Sequence, residues 1–158
     1  MLPGDHVIEL SVGGVRREYL LSIPPGLDRS PRPVMFLLHG TGGTAKWAMH
    51  EARLGQFAER HDFIAVIPQA LPPDPTQPPK FIANPPAWNT GGMLFPNHRP
   101  DDLRFFALLF DDLAQRVPID PQRIYVTGFS NGASMSFELR CILATASQPS
   151  RRWRAIAG

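Results

Sequence analysis

Gly128-Phe129-Ser130-Asn131-Gly132 has the form Gly-x-Ser-x-Gly. A serine flanked in this way is suited to attack on a carbonyl carbon. The reason is steric. A nucleophile raised on a strained turn between a strand and a helix needs small neighbours, so that the two backbones can approach. The turn pushes the Ser130 hydroxyl out at the end of the strand. It also sets it at a helix N-terminus, where free N–H groups favour negative charge. A capping serine in an ordinary strand-to-helix turn is the competing reading.

Acyl transfer also needs two aligned donors for the oxyanion of its tetrahedral intermediate. One is expected at the N–H of the residue after the nucleophile, Asn131. The second is expected in His39-Gly40-Thr41-Gly42-Gly43, at the N–H of Thr41. Glycines let this backbone turn its N–H groups inward. A glycine-rich loop can also cradle phosphate. This one lacks the Walker lysine-serine ending and the Gly-x-Gly-x-x-Gly spacing. His39 is expected to be structural, buried beneath the loop and hydrogen-bonded to backbone.

The hydrophobic pattern sets the elements around these two loops. Val7 to Val12 and Val15 to Ile23 read as a hairpin, with Gly13-Gly14 as its two-residue turn. In the first strand Val7, Leu10 and Val12 alternate, interrupted by Ile8. Val34 to Leu38, Phe63 to Ile67 and Arg123 to Thr127 are short apolar runs suited to strands buried on both faces. Residues 48–60 read as one helix. Asp101-Asp102 opens another, whose Leu103, Phe106, Ala107, Phe110, Leu113 and Val117 follow helical spacing. A helix is expected over 131–143, and Trp153 to Ala157 has the character of a further buried strand. Alternating strands and helices imply an α/β fold with helices on both faces of the sheet.

The chain has 158 residues, a length that suits one domain. Hydrophobic residues make up 43% and charged residues 19%, which excludes global disorder. Sixteen basic and 14 acidic residues leave a net charge of +2, too little for a dedicated nucleic-acid or membrane-surface binder. A single cysteine, Cys141, excludes an internal disulfide framework and a cysteine-based zinc site. His50 and His61 have no third ligand in view, so no metal and no other cofactor is proposed. No apolar run is long enough to span a bilayer. The first residues lack the basic and apolar regions of a secretory leader.

Proline is the outlier, at roughly twice the usual 5%. Ten of the 18 prolines fall between Pro68 and Pro100. That stretch cannot be helix or central strand for long. It also holds Phe81, Trp88 and Phe95. It is expected to be an ordered excursion over the site, covering residues 68–100. Trp88 and Asn89 then either line a substrate pocket or, as an aromatic anchor, pin an irregular loop. Asp101 and Asp102 are expected to serve the helix start, and Arg151, Arg152 and Arg154 to lie on a surface loop.

Taken together, these residues resemble the α/β-hydrolase superfamily. More narrowly, they resemble the polyhydroxybutyrate-depolymerase-like esterases, with their feruloyl and acetylxylan esterase relatives. The matching segments are Arg17-Glu18-Tyr19-Leu20-Leu21, Leu38 to Gly43, Trp88-Asn89-Thr90-Gly91-Gly92, Asp101-Asp102, and the run Ile119 to Gly132. The resemblance implies a mostly parallel sheet carrying an N-terminal antiparallel hairpin. It implies a metal-free serine ester hydrolase, working on a small or polymeric ester through an acyl-enzyme at Ser130, and an extracellular location.

In that superfamily the chain order is serine, acid, histidine. Here all five histidines (His6, His39, His50, His61, His98) precede Ser130, and Glu138 is the one acid that follows it. Glu138 lies within the helix after the turn, not at a later strand end. The resemblance therefore implies further strands, with the acid and base upon them, and a chain truncated relative to the family. Two functions stay open: a serine esterase, and a non-catalytic module of the same fold that binds an ester, a glycan or a partner chain. An exposed sheet edge beside the nucleophile strand is expected to invite self-association.

Overall fold

The computed structural model describes residues 1–26, 28, 30–91, 94–95 and 99–146, the last six of these by their backbone. The expected strand at 153–157, the Cys141 side chain, His98 and the arginines at 151, 152 and 154 lie outside what is described.

The hairpin forms as the pattern requires. Strand β1 (Gly4–Val12) pairs antiparallel with β2 (Val15–Ile23), with Val12 opposite Val15. Gly13 and Gly14 have φ of +57° and +82°, the double positive φ that a two-residue turn of matching twist demands. Ile8 and Val12 face the core, with Leu10 packed beside them, while Val7 is 62% exposed. The apparent interruption at Ile8 thus marks the inward register, and Val7 is the residue that departs from it.

Three further strands are β3 (Arg32–Leu38), β4 (Ile64–Pro68) and β5 (Ile119–Gly128). Among the described residues they complete a five-stranded sheet of order β1-β2-β4-β3-β5. β3 runs parallel to β4 and to β5, and β2 meets β4 antiparallel. Every residue of β4 is buried, as a strand covered on both faces requires.

Helices cover both faces. α1 (Ala45–Glu51) and α2 (Leu54–His61) pack on one face, against Ala65 and Ile67 of β4 and against Met35 and Leu37 of β3. The alternate residues Val34, Phe36, Leu38, Ile64 and Val66 point to the other face. There they meet Phe105, Phe106, Leu109, Phe110 and Leu113 of α3 (Asp102–Arg116) and Met135 and Leu139 of α4 (Asn131–Ala146). This period-two division between two helical layers makes the sheet the centre of an α/β architecture.

Two helix expectations change. Residues 48–60 do not form one helix, because Arg53 adopts φ +48° and separates α1 from α2. The break lets α2 lie close on β2: a Cβ at Gly55 would stand 3.2 Å from the Ser22 hydroxyl oxygen. In α3 the inward stripe is Phe105, Phe106, Leu109, Phe110 and Leu113, and Leu103 is 44% exposed. The stripe is turned by the first turn, where Asp102 is drawn inward by a buried charge partner on β2.

Between residues 71 and 87 the proline-rich segment is held by polar contacts of its own. Isolated bridges join Leu71 to Ala87 and Lys80 to Asn84. The buried Asn84 side chain accepts the Asp74 N–H and donates to the carbonyls of Asp74, Gln77 and Pro78. One amide thus satisfies backbone groups that the prolines, lacking N–H donors, cannot pair in a sheet.

Candidate active site

The parallel strands β3 and β5 end side by side, with Leu38 opposite Gly128. The chain turns there from β5 into α4, and Ser130 has φ +52°. A non-glycine residue in the left-handed region is strained, and such strain concentrates at functional positions. The two glycines are fixed by contact. A Cβ at Gly128 would lie 2.4 Å from the Gly132 carbonyl carbon, and one at Gly132 would lie 2.2 Å from the Leu38 carbonyl oxygen. No side chain fits at either place. Ser130 is exposed at the sheet end, at the N-terminus of the 16-residue helix α4. Phe129, its neighbour, is 73% exposed.

The loop after β3 lies against this turn. A Cβ at Gly40 would stand 3.4 Å from the Ser130 Cβ and 3.2 Å from the Phe129 carbonyl oxygen. The loop's own donors divide clearly. Gly43 N–H donates to the Gly40 carbonyl at 3.0 Å, and Gly42 N–H donates to the Pro86 carbonyl at 2.8 Å. The N–H groups of Thr41 and Asn131 have no acceptor among the described residues. The Gly40 and Ser130 N–H groups likewise have no acceptor among the described residues.

His39 is buried, and its ring is fully engaged. Its Nε2 accepts the Ala70 N–H at 3.1 Å and the Gln69 side-chain amide at 3.2 Å. Nδ1 therefore carries the proton and donates to the Gly40 carbonyl at 2.8 Å. Burial holds its pKa below the usual histidine range, partly opposed by that carbonyl. A neutral ring with both nitrogens occupied is a brace for the loop and has no capacity left to serve as base.

Trp88 and Asn89 are placed within the scaffold. The Trp88 ring is 1% exposed and packs between His39 and Phe106. Its indole N–H donates to the His39 carbonyl at 2.9 Å. Its backbone is clamped by the Asn131 side chain, which accepts the Trp88 N–H at 2.6 Å and donates to the Trp88 carbonyl at 3.1 Å. Asn89 donates its side-chain amide to the Pro100 carbonyl at 3.1 Å and its backbone N–H to Asp102 at 2.7 Å. Of the two uses weighed for Trp88, these contacts are those of the anchor. A buried ring with its only donor occupied presents nothing to a ligand.

Asp101 and Asp102 also part company. Asp101 caps α3 by accepting the Arg104 N–H at 2.9 Å. Asp102 instead forms an ion pair with Arg17 at 2.7 Å, both side chains being 1% exposed. Burial pushes the Asp102 carboxyl up, opposed by Arg17 and the Asn89 N–H. The Arg17 guanidinium also lies 4.0 Å over the Phe105 ring. Neither Arg17 nor Gln69 was singled out by the pattern of chemistry-bearing residues. Arg17 had a signal: a charge on the inward, alternate face of β2, in line with Tyr19, Leu21 and Ile23. Gln69 had none.

The remaining histidines stand elsewhere. His6 lies on β1, His50 on α1 and His61 at the end of α2 against Phe57. Among the described residues no histidine is hydrogen-bonded to Ser130, and Glu138 is exposed on α4.

No protein-family model matches the chain. It is 27% identical over 142 residues to feruloyl esterase D of Neurospora crassa, an alignment covering 89% of this chain and 46% of that protein. The chain thus spans about half the length of that relative. Its structure is similar to an S-formylglutathione hydrolase from Agrobacterium tumefaciens, with a TM-score of 0.67 at 17% identity, covering 86% of this chain and 53% of that one. It is also similar to a thermophilic and thermostable carboxylesterase from a metagenomic library, with a TM-score of 0.58 at 17% identity, covering 93% of this chain and 45% of that one. The chain has the α/β-hydrolase fold, and the proteins it resembles in sequence and in structure are esterases and related hydrolases.

Proposed function

We propose that the chain carries the nucleophile and oxyanion site of a serine-dependent carboxylic ester hydrolase. The observation behind this reading is a strained, exposed Ser130 on a turn packed against the glycine-rich loop, with the Thr41 and Asn131 N–H groups lacking an acceptor among the described residues. In the reaction the Ser130 Oγ attacks the ester carbonyl and its proton passes to a histidine base. The oxyanion forms within reach of the two N–H donors, each of a kind worth about 2.7–4 kcal/mol of barrier. Collapse expels the alcohol and leaves an acyl-enzyme on Ser130, which water then cleaves. The base and its acid come from outside the described residues, since the described histidines make no bond to Ser130.

The similarity to feruloyl esterase D favours an ester of that general kind, and the sequence motifs favour the polyhydroxybutyrate-depolymerase-like branch. An extracellular setting goes with that branch. Among the described residues no helix is long and apolar enough to cross a membrane. Self-association along an exposed sheet edge beside β5, the strand that leads into the nucleophile turn, also belongs to this reading. A monodisperse monomer in sedimentation contradicts that last element.

The test of the whole reading is turnover of p-nitrophenyl acetate by the full-length protein and its Ser130→Ala variant. Loss of about 10⁴-fold or more in the variant is expected. Turnover retained in Ser130→Ala contradicts the assignment.

A further inference from the structure

Both oxyanion donors lead back to one buried ion pair. The first path begins at Asp102, which accepts the Asn89 N–H at 2.7 Å and so fixes the peptide that follows Trp88. Trp88 in turn is held by the Asn131 side chain through two hydrogen bonds of opposite sense, at 2.6 and 3.1 Å. The Asn131 side chain also donates to the Thr90 hydroxyl at 3.3 Å. The Asn131 peptide N–H, next to Ser130, has no acceptor among the described residues.

The second path begins at the partner. Arg17 donates to the Gln69 carbonyl at 3.4 Å as well as to Asp102 at 2.7 Å. The Gln69 side chain accepts the Ala45 N–H at 2.8 Å and donates to His39 Nε2 at 3.2 Å. His39 Nδ1–H donates to the Gly40 carbonyl, the other side of the peptide group that carries the Thr41 N–H. Trp88 joins the two paths, since its indole N–H holds the His39 carbonyl at 2.9 Å.

We propose that Arg17 and Asp102 are positioning residues, which set the Thr41 and Asn131 N–H groups relative to Ser130. This rests on the reading of Ser130 as nucleophile. A purely structural pair need not have these partners. Arg17 and Asp102 could satisfy one another and the Phe105 face without touching the two backbones that present the donors. Instead each uses a further polar contact on the segment that leads to one donor. Donors that must meet an oxyanion lose their effect when displaced by about 1 Å, a displacement that costs roughly 10²-fold in rate.

The test uses the full-length protein and the double variant Arg17→Met/Asp102→Leu. Replacing a buried ion pair by apolar residues of similar volume leaves a fold about as stable, whereas removing one partner does not. The double variant therefore separates stability from position. The expected result is a retained fold with a modestly lower thermal midpoint, since the Asn89 N–H and the Gln69 carbonyl lose their partners, with kcat for p-nitrophenyl acetate lower by on the order of 10²-fold and KM little changed. Amide hydrogen exchange is measured beside it. Exchange at Asn89 and Trp88 is expected to rise about tenfold or more, with the β1 and β2 amides unmoved.

Wild-type kcat in the double variant overturns the proposal, and so does unaltered exchange at Asn89 and Trp88. A double variant that loses its fold sends the test to Arg17→Lys. There retained kcat at wild-type stability overturns the proposal, and a lowered kcat with unchanged KM supports it. Ser130→Ala that keeps turnover is a separate failure. It defeats the nucleophile reading, while the exchange result still decides whether the ion pair holds the two segments.

Discussion

The nucleophile turn and the proline-rich excursion beside it are held by different physics. The turn at 128–132 is fixed by exclusion: a Cβ at Gly128 or Gly132 meets backbone at 2.4 and 2.2 Å. The excursion is fixed by particular polar partners. Asn84 satisfies backbone groups between 74 and 78, and Trp88 and Asn89 tie the chain to His39, Asn131 and Asp102. A turn made by exclusion tolerates only glycine, and what excludes a side chain is backbone, its own at Gly128 and that of Leu38 and His39 at Gly132. A loop made by side-chain hydrogen bonds accepts varied sequence along most of its length, provided a few anchors remain. The site sits where the two meet, because the same Asn131 that offers its peptide N–H also clamps Trp88.

Three predictions probe that difference. The largest effect is expected at the anchor. Trp88→Ala empties a buried aromatic site and orphans the His39 carbonyl, and should cost about 3–5 kcal/mol in denaturant unfolding. A cost below about 1 kcal/mol would show that the excursion is held by something other than its tryptophan.

Next comes the turn. Gly132→Ala drives a Cβ into the carbonyls of Leu38 and His39, and neither strand end can yield without breaking β3–β5 pairing. A loss of about 3 kcal/mol is expected. Ala133→Gly, one residue on in the same helix, should cost only about 1 kcal/mol, the ordinary price of glycine in a helix. Equal costs at the two positions would remove the steric account of the turn.

The smallest effect is a pH dependence. Burial holds the folded His39 below the ordinary value of about 6.5 that it regains on unfolding. Its contribution to stability is complete above that value. As pH falls below it the unfolded chain takes up a proton that the folded one refuses, and stability drops towards the folded pKa. Unfolding midpoints at pH 7.5 and 5.5 should therefore fall more for the wild type than for His39→Gln. An equal fall in both would place the pH sensitivity elsewhere.

The same contrast explains what could be read in the sequence. The turn and the loop from His39 to Gly43 were legible because their requirement is local: small residues after an apolar run. The hairpin was legible from Gly13-Gly14. The buried runs of β3 and β4 needed only their continuity, whereas the run Arg123 to Thr127, read the same way, is covered on one face only among the described residues, with Tyr125 52% exposed. The break at Arg53 was not legible, since arginine is a good helix former and nothing nearby in sequence marks the left-handed residue. Asp101 and Asp102 were indistinguishable in sequence. One caps α3 and the other turns inward because Arg17, 85 residues away in sequence, is buried beneath it. Trp88 read equally as pocket wall or anchor, and its partners Asn131 and His39 lie on two other segments. Local sterics leave a signature in the sequence, and long-range polar pairing leaves little beyond a charge at an inward position.

The central claim is that Ser130 is a nucleophile. The most direct measurement is covalent labelling of the full-length folded protein with a fluorophosphonate, with the modified residue located by peptide mass spectrometry. The account predicts one equivalent of label on Ser130 and none on the Ser130→Ala variant. A folded protein that takes no label, or takes it at another residue, would contradict it.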